Sequence, residues 1–327
     1  MRAFLHSTLT FLAFIGASHA EVRLKQLYQF TKPTDWVENI AVRSNGHLLL
    51  TTYNDASLYS LDPEAQNAVP QLIAQLPHAT VLTGIAEIGP DVFAFAGGDF
   101  NMTDFSFEDS SGQVALINLN GCQKHGSVSI KTVAKVPAAK LLNGLVALPE
   151  RPGTVLSSDS KTGTIYRVDT LTSHVDVVFQ DERLTPNSDP KQIPLGVNGL
   201  KIYKSYLYMT NSARQFFARV KINSAGDRVG DLEIIQLLSN SQLVPDDLAI
   251  SKDGTAFIAA HPDAIAIVTP QGKLSTLVAS GKPGQSNVTL ITPTSVALGR
   301  DENTLFVVTG GSAKAGGLGG QVVAISF

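Results

Sequence analysis

Cysteine occurs once in the 327 residues, as Cys122, and tryptophan once, as Trp36. A lone thiol excludes an internal disulfide, so stability must come from packing and from closure of the backbone on itself. Charge is sparse as well. Asp, Glu, Lys and Arg make up 16% of the chain and the formal net charge is -3, which offers no basic footprint for nucleic acid or an acidic membrane. No segment after the first twenty residues has the length of a membrane helix. Neither a Ser-His-Asp arrangement nor a Cys/His metal motif is visible. "TGGSAKAGGLGGQ" (309–321) is rich in glycine, but it joins strands instead of opening a helix, so it reads as a lid or rim loop and not as a phosphate cradle.

What is present begins with "MRAFLHSTLTFLAFIGASHA" (1–20). Arg2 supplies a positive start, Leu9 to Ile15 an apolar centre and Ser18-His19-Ala20 a small-residue cleavage site, the pattern of a secretory signal peptide. The remainder, 21–327, is expected to be secreted or to lie in the lumen of the secretory pathway, and it is long enough to bury a large core. Asn-x-Thr sequons at Asn101 and Asn287 fit that route as glycosylation sites.

Within 21–327 one pattern recurs. "LLNGLVALPE" (141–150), "GVNGLKIY" (196–203) and "VPDDLAIS" (244–251) each open an apolar strand with a polar pair. Following that register, six units read strand, tight turn, strand, loop, strand, with hairpin signals such as Ser44-Asn45-Gly46 and Lys252-Asp253-Gly254. Glu38, Thr83, Asn143, Asn198, Asp246 and Thr294 hold the same place in each unit, at intervals of 45, 60, 55, 48 and 48 residues. Units of about 40–50 residues built of short strands are the signature of propeller blades. The expected fold is therefore all-β, a six-bladed β-propeller. The last unit ends in "QVVAISF" and lacks an outer strand, which "VRLKQLYQF" (22–30) can supply, removing an exposed edge.

In a blade the start of the innermost strand and the loop after the second strand share one face of the disc. That places Glu38, Thr83, Asn143, Asn198, Asp246 and Thr294 around one channel mouth, with Tyr53, Phe100, Asn211 and His261 near them. Asn and Asp often do no more than satisfy strand ends and turns. Turn chemistry gives no reason, however, for six polar residues at one equivalent position opening apolar strands. Such a ring suits a hard cation or a polar ligand group. Trp36, Tyr53, Phe100 and Phe216 are candidates for an apolar wall.

With Glu38, "NGL" at 143–145 and 198–200, and "PDDLAISKDG" at 245–254, the chain resembles the SMP-30/gluconolactonase/strictosidine-synthase-like propellers over essentially its whole length after residue 20. The resemblance implies Glu38, Asn198 and Asp246 as ligands of one divalent cation, calcium or zinc, with Asn143 near the substrate. There are departures. Leu141, Leu142 and Gly144 stand where the lactonases grip a polyhydroxylated substrate, Asp247 stands in place of a glycine, and Asn211-Ser212 replaces Asp-Ser. These point to a weaker cation site and a more apolar pocket. The series "WVENIAVRSNG", "LNGL", "GVNGLKI", "DD" plus an apolar residue, and "PTSVALGR" more closely resembles a group of secreted fungal propellers that includes hetero-Diels–Alderases of natural-product gene clusters.

Three functions follow. The favoured one is a cofactor-free cycloaddition between a quinone methide and an alkene, on a small apolar substrate of polyketide–terpenoid type, by a monomer without nucleic-acid or membrane partners. Asn143 and Asn198 would polarise a carbonyl there, with Glu38 and Asp246 beside them, while Thr83, Thr294, Asn211, Phe216 and His261 line the pocket. The second is a cation-dependent lactonase, in which the metal polarises the carbonyl and Asp246 or a bound water acts on it. The third is a binding propeller without catalysis.

Overall fold

In the computed structural model the described residues are 22–121, 128–189, 191–279, 288–312, 314 and 317–327, so residues 1–20, Cys122 and Asn287 lie outside them. They form six four-stranded antiparallel sheets in the blade order expected. Blade one runs Val37–Val42, Leu48–Thr52, Ser57–Leu61 and Gln71–Gln75. Blade two runs Val81–Gly89, Val92–Gly98, Gln113–Asn118 and Lys131–Lys135, with a small hairpin of Phe100–Asn101 and Ser106–Phe107 inserted at the mouth. Blade three is Leu142–Ala147, Thr154–Asp159, Thr164–Asp169 and Val175–Gln180; blade four is Val197–Tyr203, Tyr206–Asn211, Phe216–Ile222 and Arg228–Leu237. Blade five is Val244–Ile250, Ala256–His261, Ala264–Val268 and Leu274–Val278.

Blade six takes Pro293–Leu298, Thr304–Thr309 and Gln321–Ser326 from the far end of the chain and its outer strand, Arg23–Gln29, from the near end. Arg23 pairs with Ser326 and Gln29 with Gln321, so the expected clasp is present. No helix among the described residues is long and apolar enough to cross a membrane.

The core lies between blades, where facing sheets interdigitate. Phe93 and Phe95 pack with Leu49, Leu58 and Leu82, all fully buried, between blades one and two. Truncating one such phenylalanine to alanine costs about 3–5 kcal/mol.

Each inner strand carries a register irregularity near its axial end, for example between Leu142 and Leu145 and between Val197 and Leu200. This explains the polar residue followed by glycine at Thr83-Gly84, Asn143-Gly144 and Asn198-Gly199. At Gly144 a Cβ would fall on the Asn198 carbonyl oxygen and the Leu200 nitrogen, and at Gly84 on the backbone of Asn143 and Leu145. Glycine is needed there because neighbouring inner strands touch at the axis.

Hydroxyl groups then tie each blade to the next. Thr51 Oγ1 donates to the Thr83 carbonyl (2.9 Å), Thr83 Oγ1 to Leu142 (2.9 Å) and Ser158 Oγ to Asn198 (2.7 Å). Thr210 Oγ1 donates to Asp246 (2.6 Å) and Thr294 Oγ1 to Val37 (2.7 Å). Blades five and six are joined by Ser295 Oγ donating to Asp247 Oδ2 (3.1 Å), which completes the circle.

Candidate active site

Those ties divide the axial ring into architecture and free chemistry. Thr83 and Thr294 are fully buried and spend their hydroxyls on the next blade. Asn211 is spent as well: its Nδ2 donates to the Leu184 carbonyl (3.1 Å) and its Oδ1 accepts from the Arg214 amide (2.9 Å). Phe216 does not reach the axis. It opens the third strand of blade four, one strand out from the second, and is buried with Leu184, Val197 and Met209 between blades three and four.

Glu38, Asn143, Asn198, Asp246 and His261 remain. Trp36 Nε1 donates to Glu38 Oε2 (2.7 Å), and the indole lies so close over Gly310 that a Cβ there would fall on its ring. Asp246 Oδ2 lies 3.1 Å from His261 Nε2. Asn198 Nδ2 donates to Ser212 Oγ (3.0 Å), whose own hydroxyl donates to the Pro245 carbonyl (2.7 Å). That leaves Asn198 Oδ1 sealed and without a partner. Asn143 is 3% exposed; neither atom of its amide hydrogen-bonds to a described residue, and neither is sealed.

Electrostatics follow from this crowding. Burial, then repulsion from Asp246, pushes the Glu38 carboxyl well above the usual carboxylate range, against the pull of the Trp36 hydrogen bond. Burial also raises Asp246, while the hydrogen bond and charge of His261 hold it down. The Tyr53 phenol is raised well above its ordinary range by burial and then by the two carboxyls, so it stays protonated.

An aromatic wall borders the acids. Trp36 and Tyr53 have centroids 6.2 Å apart, and Tyr53 meets Phe100 edge to face at 5.3 Å. Phe100 in turn meets Phe105 at 5.3 Å. Phe105, at the turn of the inserted hairpin, is absent from the sequence reading; the aromatic spacing of "DFNMTDFSF" (99–107) is the signal that points to it. The Asn101 sequon sits on the same hairpin, with Nδ2 donating to Glu108 Oε1 (2.8 Å).

A second polar layer lies below. Asp247, where the resemblance implies glycine, is 4% exposed and accepts from Lys201 Nζ (2.9 and 3.1 Å), while Ser295 also contacts Asn39 Oδ1 (2.9 Å). Beyond it, at the far end of the channel, is a cavity of about 570 Å³ lined by Ile40, Ile85, Leu145 and Lys201 among others.

The three oxygen-bearing residues that the resemblance implies as ligands do converge. An acceptor with no partner on Asn198, beside the buried carboxyls of Glu38 and Asp246, fits a hard cation, with Asp246 shared with His261. Two acids and an amide make a sparse set, and among the described residues no cluster of three or more His, Cys, Asp and Glu side chains forms.

No protein-family model matches the chain. It is 29% identical over 304 residues to a Phoma sp protein described as "Putative hetero-Diels-Alderase", covering 87% of this chain and 85% of that one. It is 27% identical over 313 residues to the similarly described asR5 of Sarocladium schorii, covering 84% of this chain and 75% of the relative. Among solved structures it resembles the gluconolactonase XC5397 of Xanthomonas campestris, with a TM-score of 0.65 at 11% identity over 94% of this chain and 90% of that one. The chain is a six-bladed propeller of gluconolactonase-like architecture, and its sequence relatives include the Phoma and Sarocladium proteins described as "Putative hetero-Diels-Alderase".

Proposed function

We propose that the protein is a secreted enzyme of fungal natural-product biosynthesis that joins a quinone methide to an alkene by hetero-Diels–Alder cycloaddition in the axial mouth, without a cofactor. The observation that carries this reading is the pairing of an aromatic wall, Trp36–Tyr53–Phe100, with an unspent amide on Asn143. The names of the two sequence relatives support it.

The reaction needs little covalent help. The four π electrons of the oxygen-terminated diene and the two of the alkene become one new C–C and one new C–O σ bond, and no atom is lost. The protein's tasks are to align two apolar partners and to keep water off the electrophilic methide carbon. The aromatic wall does both. Asn143 Nδ2 is the donor positioned to polarise the diene carbonyl as charge gathers on its oxygen, whereas Asn198 is committed to Ser212. Burial and the repulsion of Asp246 raise the Glu38 carboxyl, which favours its protonated form beside the Trp36 indole. The test is to incubate the purified protein with a quinone-methide precursor and an alkene and to follow product and stereochemistry. A single stereoisomer formed faster than without protein is expected, reduced in Asn143→Ala; a racemic product at the uncatalysed rate overturns the reading.

The unpartnered Asn198 Oδ1 favours a second reading, cation-dependent lactone hydrolysis. Glu38, Asn198 and Asp246 would hold the ion, which when bound supplies a Lewis acid for a carbonyl oxygen. Asp246, paired with His261, would then position water. One calcium or zinc per chain, lost in Asp246→Ala, together with lactone turnover, would select this reading over cycloaddition.

A further inference from the structure

Tyr53 belongs to the aromatic wall, yet its side chain also carries a polar group, the hydroxyl. Two tyrosines elsewhere have partners for their hydroxyls: Tyr203 donates to the Lys252 carbonyl (2.9 Å), and the Tyr208 hydroxyl accepts from Arg219 Nη1 (3.4 Å). Among the described residues Tyr53 has none for its hydroxyl. A buried polar atom without a partner is costly unless something else satisfies it. The hydroxyl is not closed off either, since among the described residues the sealed, unpartnered side-chain atoms are Gln113 Nε2 and Asn198 Oδ1. Tyr53 is part-buried, so its hydroxyl is open to a ligand.

Its placement is fixed and central. The Tyr53 amide donates to the Trp36 carbonyl (3.1 Å), and the ring is held edge to face on Phe100, so the phenol has little freedom to turn away. Its ring neighbour Trp36, 6.2 Å away between centroids, donates to Glu38 Oε2 at 2.7 Å, which sets Tyr53 beside the axial acids. The inner strand of blade three brings the Asn143 amide, also without a protein partner, to the axis. Thr83 of blade two, which stands between them in the ring, is turned to the Leu142 carbonyl and does not compete. Two donors with no protein partner thus belong to one mouth.

We infer that the Tyr53 hydroxyl donates a hydrogen bond to the conjugated ring carbonyl of the substrate and is a catalytic residue as well as a wall. This rests on the cycloaddition reading and names the residue that binds the ring carbonyl of its quinone methide. As the alkene feeds electron density into the diene, negative charge grows on that oxygen and the O–H···O bond strengthens, which lowers the barrier. Once the oxygen has become an ether it is a poorer acceptor, and the contact weakens as product forms. No proton changes owner.

The contact can be read without turnover, because Trp36 is the only tryptophan and lies beside Tyr53. Binding of chromone, a bicyclic conjugated ketone, and of naphthalene, its carbon-only counterpart in size, is measured by quenching of Trp36 emission. Wild type is expected to prefer chromone, and Tyr53→Phe to lose roughly fivefold to tenfold of its chromone affinity with naphthalene binding unchanged. An unaltered thermal midpoint in Tyr53→Phe, expected for a hydroxyl without a partner, separates the contact from misfolding. If wild type shows no preference for chromone, or Tyr53→Phe keeps that preference, the contact is overturned. If the preference behaves as expected but no cycloadduct forms, the reaction fails and the contact stands. With substrates that do react, Tyr53→Phe should lower kcat roughly tenfold and leave KM within about twofold.

Discussion

The Trp36 indole donates its N–H to Glu38 Oε2 at 2.7 Å, which couples the only tryptophan in the chain to its most strongly perturbed carboxyl among the axial acids. Because burial holds Glu38 above the ordinary range, the folded protein binds that proton more tightly than the unfolded chain does. The associated stability is fully present below the unfolded value and is lost as pH rises through the folded one. Glu38→Gln, which is neutral at every pH, should therefore match wild type at about pH 4 and unfold at a higher temperature at about pH 9. Thermal melts at the two pH values check this; equal midpoints at high pH would show that Glu38 carries no such penalty.

Thr83 and Asn143 occupy the same place in neighbouring blades and should fail in opposite ways. Thr83→Val strands the buried Leu142 carbonyl and should cost about 1–3 kcal/mol in urea unfolding while product selectivity is kept. Asn143→Ala removes a side chain with no protein partner and should lower turnover roughly tenfold or more with an unfolding midpoint close to wild type.

Lys201 and Asp247 form a charge pair whose side chains are 28% and 5% exposed. Lys201→Met leaves a buried carboxylate unpaired and should cost about 3–5 kcal/mol. Lys201→Met combined with Asp247→Asn should recover most of that loss. A double-mutant cycle in urea measures the coupling, and additive losses would mean that the two side chains do not depend on each other.

The paired edge of blade six gives a fourth test. Deleting residues 22–30 uncovers the strand Gln321–Ser326, and the truncated protein should aggregate. Size-exclusion chromatography of the expressed protein decides it, and a monodisperse folded truncation would contradict the clasp.

The blades were legible in the sequence because hairpin turns and apolar strands repeat locally, and the clasp because blade six was visibly one strand short. The axial positions of Glu38, Asn143, Asn198 and Asp246 followed from the same register. What that register could not tell was which ring members are spent. The acceptor for Thr83 is 59 residues away on the next blade, and a hydroxyl gives no local sign of what it faces across a blade boundary. Phe216 was misplaced for a related reason: the mouth-side end of a third strand lies outward of the second, where apolar side chains fill the seam between blades. Lys201 was invisible as an axial residue because it enters from the channel's other end, toward a carboxylate standing where glycine was expected.

The pairing of Arg23–Gln29 with Gln321–Ser326 also sets an order of events during synthesis. Blades one to five can each hydrogen-bond internally as soon as their own four strands have been made. The strand 23–29 has no partner until some three hundred residues later. It must wait, unpaired, while the rest of the disc assembles around it. Such distant closure is slow in an all-β chain, so the step that finishes the propeller is also the one during which two bare strand edges are open to other chains.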